Sequence, residues 1–305
     1  MVLFFVNFYF ILLIVINYML IYIKLFLIIF ICLILYMKNI TKFNTETEYI
    51  NYIDGEYSYP NLSLVDNSDI NYEQDYSKQY LTIVAMEPGY FTFSGGSSGV
   101  TSINYSLDNG QTWVTLNKEV QSPLIQTGKT ILLKGDFYNK TINTTGPGHL
   151  SFSGRFSVFG NIMSLAYGDN FINNTTLKGY IFDELFNGSS IVNAINLILP
   201  SMTLANWCYA AMFHTCKLLE IAPVLPAPTL VTRCYNQMFE KCSSLKYVKC
   251  LATDISASLS TTAWFRNASA TGTFVKANET TWSRGEYGIP SGWRIENNVQ
   301  ESYNR

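Results

Sequence analysis

The side chains best suited to redox, metal or proton-transfer chemistry are Cys208, Cys216, Cys234 and Cys242, with His149 and His214. The cysteines lie eight residues apart within a pair and 26 apart between pairs, whereas zinc sites draw ligands from much tighter C-x-x-C spacings. Equal spacing between pairs instead predicts an internal ladder of small, buried free thiols, in preference to disulfides or a metal quartet. His214 occupies a repeat slot that holds Asn187 and Glu240 in other copies, so it reads as a solvated, variable position. His149 follows Gly146-Pro147-Gly148 and reads as a loop residue. No Ser/His/Asp set, phosphate loop or dinucleotide fingerprint is present. The reading therefore assigns no catalytic, cofactor-binding or metal residue.

Charge narrows the possible partners. The 305 residues carry a formal net charge of −2, and 14% are charged where about 25% is usual. Nothing basic is available to neutralise phosphates, so nucleic acid is excluded. Residues 1–37 hold a single charge, Lys24, and the remaining 41 charges follow them. That first stretch is long enough for a transmembrane helix. It lacks the Gly, Ser and Thr usual in such helices, and Met37 opens an ordinary polar sequence, so it also reads as upstream translation with Met37 as the start. A membrane is a partner only if residues 1–37 are translated.

Beyond residue 80, short alternating runs bounded by turn residues predict a β-sandwich-like domain over 80–153. Strands are expected at Leu81–Ala85, Tyr90–Ser94, Ser102–Leu107, Thr112–Leu116 and Thr130–Gly135. Asp108-Asn109-Gly110 makes a strong hairpin turn, because Asn and Gly accept positive φ. With its flanks, Ser106, Asp108, Gly110, Thr112 and Trp113 resemble the Asp box, the S-x-D-x-G-x-T-W hairpin of sialidases and other β-proteins. That resemblance implies a turn tied by Asp and hydroxyl groups over a packed Trp. Glycoside hydrolysis is the alternative it raises, but the chain has one such box and only six Arg.

The second half repeats. Thr176-Leu177…Leu185-Phe186, Thr203-Leu204…Met212-Phe213 and Thr229-Leu230…Met238-Phe239 align, and a worn fourth copy keeps Trp264-Phe265. The anchors Phe186, Phe213, Phe239 and Phe265 are spaced 27, 26 and 26, with Cys216 and Cys242 three residues after their Phe. A fixed period of this size predicts a leucine-rich-repeat solenoid over 154–277, about four repeats of one strand and one helical turn each. Leu-x-x-x-Cys-Tyr-x-x-Met-Phe has helical spacing and is assigned to the convex side. Val192–Leu197, Leu219–Val224, Leu245–Cys250 and Thr273–Ala277 are assigned as parallel strands, with Gly154–Ala166 adding a first strand. The expected class is thus α+β: an apolar N-terminal helix over 1–37, a short helix and acidic linker over 38–79, the β domain, the solenoid, and a cap and tail over 278–305.

Met212-Phe213-His-Thr-Cys216-Lys-Leu-Leu219 and Met238-Phe239-Glu-Lys-Cys242-Ser-Ser-Leu245 resemble the BspA-like leucine-rich repeats of bacterial surface proteins. Trp282-x-x-Gly285-x-x-Gly288-Ile-Pro290-Ser-Gly292-Trp293 resembles the C-terminal cap of gut-bacterial and gut-phage members. The likeness covers Tyr167 to Arg294 well and Met37 to Ala166 loosely, and the repeat here is longer than the family's. It implies adhesion or ligand binding at a cell surface or on a virion, without catalysis. Curvature would present the strand-lined face to a protein or glycan ligand. The candidates on that face are Asn193, Asn196, Glu220, Lys246 and Lys249. A sialidase-type enzyme and a spacer or decoration protein without a ligand are the alternatives.

Overall fold

The computed structural model describes residues 75–278, 280–285 and 288–298. The apolar segment 1–37, the short helix expected near residue 50 and most of the acidic linker lie outside the described residues. Among the described residues no helix is long and apolar enough to cross a membrane.

Strands form over the short apolar runs between turn residues, alternating in burial at Phe91–Ser94 and Thr130–Lys134 and buried throughout at Leu81–Ala85. β1 (Leu81–Ala85), β2 (Phe91–Ser94), β3 (Ser102–Ser106), β4 (Val114–Asn117) and β5 (Thr130–Lys134) fall within two residues of their expected positions. β6 (His149–Phe152) pairs antiparallel with β2 as a separate two-stranded sheet. β7 (Phe156–Asn161) pairs antiparallel with β1, so one sheet runs β4-β3-β5-β1-β7 and continues in parallel to β8 (Ile191–Asn193) and β9 (Leu197–Ile198). Further along, β10 (Tyr247–Cys250), β11 (Gly272–Lys276) and β12 (Trp293–Asn297) form a three-stranded parallel sheet. The expected strand over Leu219–Val224 is reduced to isolated bridges at Ile221. Pro223 and Pro226 follow at once, and neither has an N–H to give to a ladder.

The α+β expectation, with its leucine-rich-repeat solenoid, is corrected by this structure, whereas the apolar N-terminal helix falls outside the described residues. The fold is β-rich, and its one α-helix among the described residues is α1, Met163–Tyr167. The segments expected to coil as helical turns are ladders of consecutive hydrogen-bonded turns. Every fourth residue there has a left-handed backbone: Tyr180, Glu184 and Gly188, then Trp207, Ala211 and Thr215, then Arg233, Gln237 and Lys241, then Leu259, Ala263 and Asn267. A helix would send every N–H back four residues along its own chain. Here alternate N–H groups close turns, as Asp183 to the Tyr180 carbonyl at 3.2 Å, and the others reach into the next layer. Phe182 donates to Cys208, Tyr209 to Cys234 and Tyr235 to Ser260, all within 3.1 Å, and four parallel columns, one of them shorter, run beside this one. A four-residue turn period and a 3.6-residue helical period place apolar side chains almost identically. That near-coincidence is why the pattern reads as helix.

The anchors stack through these layers. Ring centroids are 5.4 Å apart between Phe186 and Phe213, 5.9 Å between Phe213 and Phe239, and 5.7 Å between Phe239 and Phe265. The Cys216 and Cys242 thiols donate to the carbonyls of Phe186 and Phe213 at 2.9 Å each. All five described cysteines are free and buried. Burial also pushes the Cys216 thiol up to about 12, so it is no nucleophile at neutral pH.

Candidate functional site

Parallel pairing lines up one residue per layer. Ser157, Asn193, Ile221, Tyr247, Thr273 and Arg294 are successive bridge partners. One position on, Val248 and Phe274 are wholly buried and Ile295 packs against the core, so the Tyr247–Thr273–Arg294 row faces away from it. Backbone bonds fix the rise between layers: Lys246 N–H meets the Glu220 carbonyl, and Thr273 N–H meets the Lys246 carbonyl, each at 2.8 Å.

At the start of β10, β11 and β12 this face opens into a groove of about 670 Å³. Glu220, Lys246 and Arg294 line it with the hydroxyl residues Ser244, Thr271 and Thr273. Its floor is close-packed. A Cβ at Gly272 would lie 2.7 Å from the Trp293 indole, so only glycine lets that ring approach. The indole N–H in turn donates to the Ser269 carbonyl at 2.8 Å. Lys246 Nζ and Glu220 Oε2 are 3.0 Å apart, and Arg294 Nη2 and Glu296 Oε1 are 2.6 Å apart. Burial, with the nearby Glu296 carboxylate, pushes the Tyr247 phenol up to about 12.

Of the five sequence-derived face residues, the groove gathers Glu220 and Lys246. Asn193 shares the bridge row, but its Oδ1 accepts the Ile195 amide at 2.9 Å and so closes a local turn. Asn196 precedes β9, where its carbonyl accepts the Gly160 amide at 3.1 Å. Lys249 lies on β10 beyond the groove, and burial lowers its pKa. Sequence reasoning missed Thr273 and Arg294. The 26-residue register connects Glu220, Lys246 and Gly272 and so leads to Thr273, whereas Arg294 lies only 21 residues after Thr273 and escapes it.

The hairpin between β3 and β4 is tied as the Asp box resemblance implied. Ser106 Oγ donates to Asp108 Oδ1 at 2.7 Å and accepts the Gly110 amide at 2.8 Å. The Thr112 hydroxyl and amide donate to the two Asp108 oxygens at 2.5 and 2.8 Å. These bonds, Thr112's foremost, hold the carboxyl down at about 2. Trp113 packs edge-on to Tyr80 with centroids 5.0 Å apart, and Lys134 Nζ sits 4.0 Å from its ring centre. Both oxygens of Asp108 are engaged in the turn.

On the turn ladder, Asn187, His214, Glu240 and Arg266 form a polar row across four layers. His214 Nδ1 lies 3.2 Å from Asn187 Oδ1, and Arg266 Nη2 lies 2.7 Å from Glu240 Oε1. The expectation of a solvated slot is corrected here: Glu240 is 2% exposed, because Gln237 and Arg266 fold over it. Among the described residues no group of three or more His, Cys, Asp or Glu side chains is arranged to hold a metal ion. Comparison with known proteins finds no matching family, curated protein or solved structure.

Proposed function

We propose that this chain is a non-enzymatic binding protein whose polar strand face takes a protein or glycan ligand displayed on a cell surface. The observation that carries the reading is the groove. It brings Glu220 and Lys246, from successive layers, together with a set of hydroxyl groups on one outward face. Its volume falls in the roughly 300–1,000 Å³ range of ligand sites. The Asp108 carboxylate, committed to its own turn, supplies nothing that favours the sialidase alternative. Display on a cell or virion surface is supported by the BspA-like resemblance of Met212–Leu219 and Met238–Leu245 alone.

The test pairs binding with turnover. Labelled full-length chain should bind intact epithelial or bacterial cells saturably, and Lys246→Glu, which sets a second carboxylate beside Glu220, should weaken that binding at least tenfold. Measurable hydrolysis of sialyl or simple aryl glycosides would overturn the reading, as would binding indifferent to K246E.

A further inference from the structure

We infer that the groove at the start of β10–β12 is a subsite for a neutral saccharide. The inference rests on the binding reading above and narrows it to one class of ligand. The charge arrangement is the first support. Both cations at the groove already face a carboxylate, Lys246 opposite Glu220 at 3.0 Å and Arg294 opposite Glu296 at 2.6 Å. An anionic or cationic ligand would have to break one of these pairs and strand the displaced partner. A sugar hydroxyl both donates and accepts, so it can bond to either member of a pair without separating it.

The second support is the set of hydroxyls left over. Among the described residues, the side chains of Ser244, Thr271 and Thr273 make no hydrogen bond within the chain, although each lines the groove. Thr273 is the most telling: the residue is only 5% exposed, yet its hydroxyl is not among the sealed, unbonded polar atoms of the interior, so the groove it lines is where a ligand would reach it. Ser269 differs, since its hydroxyl is spent on the Thr271 carbonyl at 2.9 Å. The third support is rigidity. Thr273 and Lys246 are held by layer-to-layer backbone bonds of 2.8 Å, and the close Gly272–Trp293 contact fixes the floor, so little ordering is left to bind. The Trp293 ring is buried, so recognition runs through hydrogen bonds without a stacking platform.

A printed array carrying neutral hexose and N-acetylhexosamine oligosaccharides beside sialylated and sulfated counterparts, probed with the full-length chain, tests this. Neutral glycans should be retained, and calorimetric titration of the strongest one should show about three- to tenfold weaker binding for T273V, the loss of one neutral hydrogen bond. Because Thr273 is buried, S244A and T271A at the rim serve as independent variants, and all three must keep the parent's thermal midpoint to be scored. K129A, on an exposed turn far along the chain, should bind like the parent. Retention of sialylated or sulfated glycans alone overturns the inference, as does neutral binding that none of the three variants weakens. If cells are bound but no glycan is retained, the saccharide class falls while the binding reading survives. If neither is bound, both fall.

Discussion

Asp183 and Glu240 are both buried carboxyls in the turn layers, and their surroundings drive them in opposite directions. Asp183 is 6% exposed, and its carboxyl makes no hydrogen bond among the described residues. Burial, reinforced by the Glu184 carboxylate, pushes it up to about 8. For Glu240 burial pulls the same way, but hydrogen bonds from Gln237 and Arg266 outweigh it and hold the carboxyl below its ordinary value of 4.5. The stability consequences have opposite sign. Between about pH 4 and 8 the unfolded chain ionises Asp183 while the folded chain keeps it protonated, so its contribution falls as pH rises through that window. Glu240 stabilises above its ordinary value, and that contribution is lost as pH falls through its depressed one. Denaturant midpoints measured from pH 3 to 9 should therefore show D183N more stable than the parent at pH 8, the two converging near pH 4. A shift of this size corresponds to on the order of 5 kcal/mol between the two protonation states. E240Q should be less stable than the parent above pH 5, by about 1.5–3 kcal/mol for a charged hydrogen-bonded group. A D183N curve parallel to the parent's would rule out the buried, partnerless carboxyl. Neither effect was legible in the residues themselves: Asp183 falls in an unremarkable turn, and Glu240 shares a slot with Asn and His.

Among the elements, the Phe column carries the stack's packing through four layers. Phe239 lies between Phe213 and Phe265, wholly buried, and its truncation to Ala should cost about 3–5 kcal/mol in equilibrium unfolding. His214, half-buried with Asn187 as its neighbour, should tolerate Ala within about 1 kcal/mol. Equal losses at the two positions would contradict the stacking. The 26-residue period and the alternation of Phe91–Ser94 or Thr130–Lys134 were readable because apolar spacing reports directly on which side chains are inside. The conformation of the turn ladder was not. Left-handed backbone is usually announced by Gly or Asn, but here it is taken by Tyr180, Trp207, Arg233, Gln237 and Lys241, at about 1–2 kcal/mol each. Inter-layer bonds such as Trp207 to Thr232 and Gln237 to Thr262 offset that strain, and such bonds are invisible until the layers stack. Within the groove, Glu220 and Lys246 were legible from register, whereas Arg294 required the turn of chain between β11 and β12.

Across the whole described region a single hydrophobic cluster runs from Leu81 to Trp293 without a break. β7 belongs at once to the antiparallel sheet and to the parallel stack, so the two halves share strands as well as side chains. One cooperative transition should follow. Far-UV dichroism, tryptophan fluorescence and the alkylation of Cys208, Cys216, Cys234, Cys242 and Cys250, followed by peptide mapping, should give coincident midpoints in urea. Thiols in the stack that react before the dichroism changes would show instead that the layers open on their own.

The columns of the turn ladder also make the stack electrically one-directional. In the peptide joining Cys208 and Tyr209, the carbonyl accepts from the layer before while the N–H donates to the layer after. Every bonded peptide in the five columns repeats that orientation, so their dipoles add along the stack axis as they do along a helix, though the axis here runs across the chain. Negative ends gather at the first layer, where Asp183 stands, and positive ends at the layer of Trp264 and Phe265. The stack thus carries a built-in field that favours a protonated carboxyl at its first layer, and each added layer would lengthen that field without adding a formal charge.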